Sequence, residues 1–245
     1  MHTMKSLLRI LMTMALPACS QEPAAAVRNF DPPPMTAPAA VDYPELIARI
    51  ADQRRKLEED RHQHGESEKL LDAARLLYCR SFADLAGQWL GTPWDFNGIT
   101  QSPRNGKIAC GYFVTTLLRD AGFDVERARL GQQASEVIAK TMTTREFMRS
   151  RSEEPLANFV AACRKHAPGV YLVGLDFHTG YLVNDGVELW FVHAAYGKPA
   201  QCVIVEKAGE SAYLDHSKYR QVAFFTEDRR FLLGWLSGKK WAASR

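Results

Sequence analysis

The spacing of apolar positions predicts two long helices near the start of the chain. Apolar residues recur at helical intervals over residues 46–57, behind Asp42, which is a candidate N-cap. The pattern breaks at Gly65 and resumes over 67–91, where Ser67 is the next candidate cap. We therefore expect two helices that each bury one apolar side.

A third helix and a series of strands follow. Residues 110–122 place their apolar side chains on one stripe and end at a glycine, which predicts a helix. Residues 124–167 look helical and polar, whereas β-branched and aromatic residues dominate from residue 169 onward. The predicted strands cover 170–183, 187–194, 202–206, 219–226 and 230–236, with a turn at 184–186. Helices followed by an antiparallel sheet define an α+β fold.

The composition is that of one globular domain with an arm. Of the 245 residues, 46% are hydrophobic and 24% are charged, and the net charge is +3. Basic residues form no stripe with interleaved aromatic residues, so we expect no nucleic-acid partner. Cysteine and histidine residues form no cluster with zinc-ligand spacing, so we expect neither a metal nor another cofactor.

The first residues resemble the signal of a bacterial lipoprotein. Lys5 and Arg9 flank a short apolar run that ends at Leu16-Pro17-Ala18-Cys19 and is too short to span a bilayer. The resemblance implies that Cys19 is lipidated and anchors the protein to a membrane of the bacterial cell envelope. Ser20 fits sorting to the periplasmic face of the outer membrane. A plain secretory signal that contains a cysteine is the alternative.

These patterns divide the chain into four segments. Residues 1–19 are the signal, 20–41 a tether rich in proline and alanine, 42–83 a helical arm and 84–238 the main domain. In an oxidising compartment, Cys163 and Cys202 are candidates for a disulfide, but their spacing in the sequence cannot assign the pair.

Cys110 and two histidines are the candidate chemical groups. Cys110 lies in the first turn of the third predicted helix, where the helix dipole favours a thiolate. If Asp185-Gly186 is the centre of a two-residue hairpin, His178 and His193 face each other directly on one side of the sheet. Such a pair supplies a base and a residue that orients it. A one-residue shift of register would pair His178 with Phe191 instead.

Four motifs together resemble the NlpC-type cell-wall cysteine peptidases, a papain-like family. The nucleophile and the two histidines follow in the family's unpermuted order, and the resemblance covers residues 84–200. The motifs are the turn Gly91-Thr92-Pro93-Trp94, the helix start Ala109-Cys110-Gly111-Tyr112-Phe113-Val114, and the strands Phe177-His178-Thr179-Gly180-Tyr181-Leu182 and Phe191-Val192-His193-Ala194.

The resemblance implies a papain-like fold, in which N-terminal helices pack on an antiparallel sheet and the nucleophile begins a helix. It implies that Cys110 attacks a peptide carbonyl, that His178 is the general base and that His193 orients His178. The backbone N–H of Cys110 is then one oxyanion donor, and Trp94 stands where the family has a tyrosine beside the nucleophile. The implied substrate and partner is the stem peptide of peptidoglycan, cut near the D-glutamyl–diamino-acid bond.

The sequence departs from the family pattern around the nucleophile. Ala109 replaces an aspartate and Gly111-Tyr112 replaces Ser-Gly, at positions that help the family bind the free amine of the stem peptide. The interval between nucleophile and base is long, so residues 124–167 are a candidate lid or protein-partner surface. Asp176 shares strand parity with the base and is a candidate cleft residue.

Other interpretations stay open beside the catalytic one. Taken alone, Cys110 is a candidate core cysteine, His178 a structural histidine and Trp94 a core residue. Three functions therefore stand side by side. They are a peptidoglycan peptidase, a papain-like amidase or acyltransferase that acts on another substrate, and an inactive scaffold that binds the cell wall.

Overall fold

The computed structural model describes residues 29–34, 36–38 and 41–242. The helices are α1 Tyr43–His64, α2 Glu68–Trp89, α3 Cys110–Asp120, α4 Arg127–Gly131, α5 Ser135–Met142, α6 Leu156–Arg164, α7 Ala212–His216 and α8 Arg229–Leu236. The strands are β1 Asp124–Val125, β2 Met148–Ser150, β3 Gly169–Leu175, β4 Thr179–Asn184, β5 Leu189–Ala194, β6 Val203–Lys207, β7 Arg220–Ala223 and β8 Lys240–Trp241. Short 3₁₀ turns cover Arg145–Phe147, Ala208–Glu210 and Phe225–Glu227.

The main sheet confirms the mixed α+β class. Six strands lie in the order β2-β7-β3-β4-β5-β6. All five pairs of neighbouring strands are antiparallel. β1 and β8 form a separate, short parallel pair. Within the described residues, no helix is both long and apolar enough to cross a membrane.

Local capping sets the limits of the two N-terminal helices where the sequence predicts them. The Asp42 carboxylate accepts a hydrogen bond from the Glu45 N–H at 2.9 Å, so α1 begins at the next residue after Asp42. Gly65 ends α1 with a φ of 80°, which glycine adopts without strain. The Ser67 hydroxyl accepts from the Leu70 N–H at 3.2 Å and begins α2.

The sheet separates two apolar layers. On one face, Val170 and Leu172 of β3 pack into the larger core together with α1, α2, α3 and α8. On the other face, Tyr171 and Val173 pack against Phe159 of α6. Because both faces are covered, every residue of β3 is buried, and its sequence lacks the alternation of a half-exposed strand.

A buried hydrogen bond ties α3 to the sheet. The Tyr181 hydroxyl of β4 donates to the Val114 carbonyl of α3 at 2.8 Å. Both residues are fully buried, and Phe113 packs in the same core. The N-terminal half of α3 is therefore held next to β4.

The helical arm expected over 42–83 is not separate from the main domain. The expected boundary lies inside α2, and Phe82 and Leu85, on either side of it, are fully buried in one core. Phe30, from the expected tether over 20–41, belongs to the same core. The pattern of α2 predicts an apolar face, but only the fold shows that the sheet and α8 cover it.

Three element predictions are wrong, because short apolar runs fit more than one period. Residues 170–183 form two strands rather than one, since the Leu175 N–H donates to the His178 carbonyl at 2.8 Å and closes a turn. Residues 230–236 lie in α8, which Asp228 caps. The segment 124–167, expected to be helical, also contains β1 and β2, and β2 pairs with β7.

We expect Phe82→Ala to destabilise the whole domain. The buried Phe82 ring lies edge-on to Tyr181, with centroids 4.7 Å apart, and its removal should cost about 3–5 kcal/mol. Phe96→Ala is the matched control, because the Phe96 ring is 80% exposed and its loss should cost under about 0.5 kcal/mol. Urea unfolding measures both variants. A separate early transition for α1 and α2 would contradict a single core.

Candidate active site

The two histidines meet, but in a different register from the one predicted. Asn184 pairs with Leu189, so the loop between β4 and β5 has four residues rather than the expected two. Continuing this register places Gly180, not His178, opposite His193. Because a two-residue shift keeps each side chain on its face, the rings still lie on one side of the sheet. They contact diagonally, with His178 Nε2 2.8 Å from His193 Nδ1.

Asp185 explains the longer loop. Its carboxylate accepts hydrogen bonds from the N–H groups of Val187 and Glu188, both at 2.7 Å. This turn closes over four residues and replaces the expected two-residue turn centred on Asp185-Gly186.

Gly180 makes the diagonal contact possible. A Cβ atom at Gly180 would lie 2.7 Å from the His193 Cβ and 2.8 Å from the Phe191 ring. No other residue type fits there without displacing one of these rings. The Phe191 ring also stacks on His193, with centroids 4.0 Å apart, and holds the imidazole in its plane.

Glu206 extends the pair into a chain of three groups. His193 Nε2 lies 3.2 Å from Glu206 Oε1 on the adjacent strand β6. Glu206 lies in a predicted strand, but the sequence pattern predicts no role for it. The signal for Glu206 is the alternation of faces along a strand. Phe191 pairs with Glu206, so the Glu206 carboxylate lies on the same face of the sheet as His193.

Both imidazoles are neutral at neutral pH. Burial, followed by the neighbouring His193, lowers the pKa of His178 well below its usual value, and the His178 side chain is only 5% exposed. Burial also lowers the pKa of His193, although Glu206 opposes the shift. Burial raises the pKa of Glu206, but hydrogen bonds from His193 and Ser211 hold it below its usual range.

These charge states define the tautomers of the two histidines. The Glu206 carboxylate can only accept, so His193 donates from Nε2 and keeps its lone pair on Nδ1. That lone pair accepts from the Nε2–H of His178. The remaining lone pair of His178 is then on Nδ1, which is buried and has no hydrogen-bond partner among the described residues. Nδ1 of His178 is therefore an available base.

Cys110 and His178 line one cavity of about 780 Å³. Cys110 is the first residue of α3 and is partly buried. Burial raises the pKa of Cys110, although the backbone N–H groups of Thr179, Gly111 and Cys110 itself lower it. The expectation that the helix start favours a thiolate is therefore corrected: desolvation outweighs it, and the resting group is a thiol.

Helix α4 covers the first turn of α3. A Cβ atom at Gly111 would clash with the backbone carbonyl of Gly131, at the end of α4. Gly131 and Gln132 also line the cavity. Gly111 thus leaves room for a backbone segment from the interval between Cys110 and His178.

Trp94 lines the cavity, whereas Asp176 does not. The Trp94 Nε1–H is buried and has no hydrogen-bond partner among the described residues. The Asp176 carboxylate accepts hydrogen bonds from the backbone N–H groups of Lys218 and Tyr219 and from the Ser217 hydroxyl, which lowers its pKa. Asp176 therefore caps a turn and does not reach the cleft.

The other described cysteines do not line the cavity. Cys79, Cys163 and Cys202 are free thiols, so the two candidates for a disulfide are not bonded in this structure. Burial raises the pKa of Cys79 to about 12, as befits a core cysteine. Cys19 lies outside the described residues. In the described part of the chain, no group of three or more cysteine, histidine or acidic residues could hold a metal ion.

Comparisons of the chain with protein-family models, with curated proteins and with solved structures found no match. The resemblance to the NlpC-type peptidases stays a prediction, and any functional assignment depends on the geometry of the cavity.

Gly111→Ala should lower stability, although alanine normally favours a helix. The new methyl group would clash with the Gly131 carbonyl, which we expect to cost about 1–3 kcal/mol. Gly209→Ala is the matched control, because no atom lies within 4 Å of its added Cβ. Thermal unfolding compares the two variants. Stabilisation by Gly111→Ala would contradict the close approach of α4.

Acidification should destabilise the protein through the buried histidines. The unfolded chain protonates them near their usual pKa of about 6.5, but the folded chain does so only at lower pH. The unfolded state then binds more protons, so the free energy of unfolding falls as the pH drops below about 6.5. For His178 the loss grows as the pH falls from about 6.5 toward the lowered pKa of the folded state.

Urea unfolding of His178→Gln at several pH values measures this contribution. The variant should lose less stability between neutral and acidic pH than the wild type. His62→Gln removes a histidine whose side chain is 70% exposed and should keep the wild-type dependence. The same dependence in all three proteins would contradict a neutral, buried His178.

Proposed function

We propose that the protein is a cysteine hydrolase with a papain-like arrangement, in which Cys110 is the nucleophile and His178 is the general base. One observation supports this most directly. The hydrogen bonds that join Glu206, His193 and His178 leave Nδ1 of His178 as a buried acceptor without a partner among the described residues, in a side chain that lines the same cavity as Cys110. A purely structural histidine normally satisfies both ring nitrogens.

Acylation begins from the neutral thiol. Its proton passes to Nδ1 of His178 while the Cys110 Sγ forms a bond to the carbonyl carbon of the substrate. The Glu206 carboxylate, acting through His193, stabilises the positive charge that develops on His178. The proton then moves from His178 to the leaving group as its bond to the carbonyl carbon breaks. An acyl thioester on Cys110 remains.

Two N–H groups are proposed to stabilise the oxyanion. The Cys110 N–H belongs to the first turn of α3, where backbone donors have no partner within the helix. The Trp94 Nε1–H is buried and unpaired among the described residues, and leaving such a group unpaired costs about 1–3 kcal/mol. Its hydrogen bond to a developing oxyanion would remove this cost as the reaction proceeds.

Water completes the cycle. His178 takes a proton from a water molecule, whose oxygen attacks the thioester carbon. The bond between carbon and Sγ breaks, and the proton returns from His178 to sulfur. The products are a carboxylic acid and the released amine or alcohol, and the free thiol is regenerated.

The family resemblance alone proposes the substrate and the location. On that basis the substrate is a peptide bond in the peptidoglycan stem peptide. A lipid on Cys19 would hold the enzyme at the envelope, on the periplasmic face of the outer membrane.

One observation favours the second candidate, a papain-like amidase or acyltransferase with a different substrate. The Gly131 backbone occupies the space of a side chain at position 111. The resemblance expects a residue at this position that helps bind the free amine of the stem peptide, and no side chain fits there.

Cys110→Ala should abolish hydrolysis, with a loss of at least about 10³-fold, because no other group in the proposed mechanism supplies the nucleophile. The purified protein and the variant are incubated with soluble muropeptides, and the products are identified by mass spectrometry. New fragments from the wild type alone would establish a cysteine endopeptidase and name the bond.

Alkylation by chloroacetamide, mapped by mass spectrometry, tests the nucleophile without a substrate. Cys110 should react faster than the partly exposed Cys202, and His178→Ala should remove this advantage. Equal rates for the two thiols, unchanged in His178→Ala, together with no muropeptide cleavage, would contradict the hydrolase.

A further inference from the structure

Exposed apolar side chains surround the mouth of the cavity. Among the described residues, five large hydrophobic side chains are strongly exposed, and four of them line this cavity. They are Phe96, Ile99, Phe177 and Tyr196, with Phe177 94% exposed. Such a concentration on a soluble domain marks a surface that another molecule covers.

This apolar mouth is continuous with the proposed reacting groups. Phe177 immediately precedes His178 in the turn between β3 and β4. The Tyr196 ring lies 5.3 Å from the His178 ring and 6.0 Å from the Trp94 ring, measured between centroids. A molecule that covers the mouth would therefore also extend to Cys110.

The described lining of the cavity offers no carboxylate, ammonium or guanidinium group to a ligand. None of these lining residues is Asp, Glu, Lys or Arg. Arg127 stands behind the Tyr112 ring, 5.0 Å from the centroid, and donates to the Thr116 hydroxyl and to the carbonyls of Ile99 and Thr100. A stem peptide, with its carboxylates and free amine, would lose hydration here without gaining ionic partners.

We propose that the site takes a substrate whose acyl part is a long apolar chain. The carbonyl carbon lies at Cys110, and the chain runs outward along Phe96, Ile99 and Phe177. This inference rests on the proposed cysteine hydrolase and specifies its substrate class. It favours the second candidate function over the stem-peptide substrate.

A peptide fits this cavity less well than an aliphatic chain. Each added residue would bring an N–H and a C=O that need partners. Outside the catalytic groups, the hydrogen-bonding side chains of the described lining are those of Asn97, Tyr112, Gln132 and Tyr196, and Tyr112 and Gln132 already bond each other at 2.8 Å. An aliphatic chain makes no such demand and gains from every methylene that it buries.

Binding to the Cys110→Ala variant tests the proposal without any chemistry. The probes are neutral N-methyl amides of acetic, hexanoic and dodecanoic acid, titrated below their micelle concentrations and followed by calorimetry. The affinity should rise by up to about fourfold for each buried methylene. Phe177→Ser and Phe96→Ser, made in the same background, should each weaken binding of the dodecanoyl amide by about tenfold.

Val41→Ser is the matched control. Val41 is the remaining strongly exposed hydrophobic side chain, 51% exposed, and does not line this cavity. The control should bind the dodecanoyl amide as tightly as the Cys110→Ala parent does. An equal loss in Val41→Ser would reveal non-specific adsorption and overturn the proposal.

The remaining outcomes separate this proposal from the hydrolase itself. Affinity that does not depend on chain length, or tighter binding of a stem peptide, would overturn the apolar-chain site and leave the hydrolase intact. Turnover of the same amides by the wild type, absent in Cys110→Ala, supports the hydrolase. Chain-dependent binding without turnover of these amides or alkylation of Cys110 would support the site and overturn the hydrolase.

Discussion

The hydrogen bond between His178 and His193 is the interaction on which the rest of the candidate site depends. Burial lowers the pKa of both imidazoles, so both rings are neutral at neutral pH and their contact is a hydrogen bond between uncharged groups. Glu206 then determines which nitrogen of each ring bears the proton. The direction of both hydrogen bonds follows. The series ends at Nδ1 of His178, an acceptor without a partner among the described residues. A single carboxylate on β6 thus orients a base two strands away.

The fold supports this arrangement with rigid elements. β4, β5 and β6 are adjacent strands of one sheet, and α3 is fastened to β4 by the buried hydrogen bond from Tyr181 to Val114. Cys110 and His178, which line one cavity, therefore lie at the ends of elements that are tied together. Gly180 and Gly111 leave space for their neighbours because they have no side chain. His193 and Phe191 pack against Gly180, and the end of α4 packs against Gly111. Positions without a side chain are as necessary here as the reactive ones.

The resting cavity has little charge. Its cysteine is a thiol, its histidine is neutral, and none of the described residues that line it is Asp, Glu, Lys or Arg. Charge would develop only when the proton leaves sulfur, and in such surroundings the electrostatic effect of Glu206 and of oriented N–H groups is larger than in water. The apolar mouth and the neutral interior are therefore consistent with each other, and both suit a substrate with an uncharged acyl chain.

Local and periodic features of this protein were determined by the sequence itself. Asp42, Gly65 and Ser67 set helix ends through neighbouring backbone groups. The prediction that His178 and His193 share a face is correct although the predicted register is wrong, because side chains return to the same face every two residues. The tertiary structure decided the four-residue hairpin loop, the partnership of Glu206 and the burial that keeps Cys110 protonated. It also joined the arm to the core and placed α4 over Gly111. These features depend on contacts between distant segments and on the exclusion of water, which no local pattern of residues encodes.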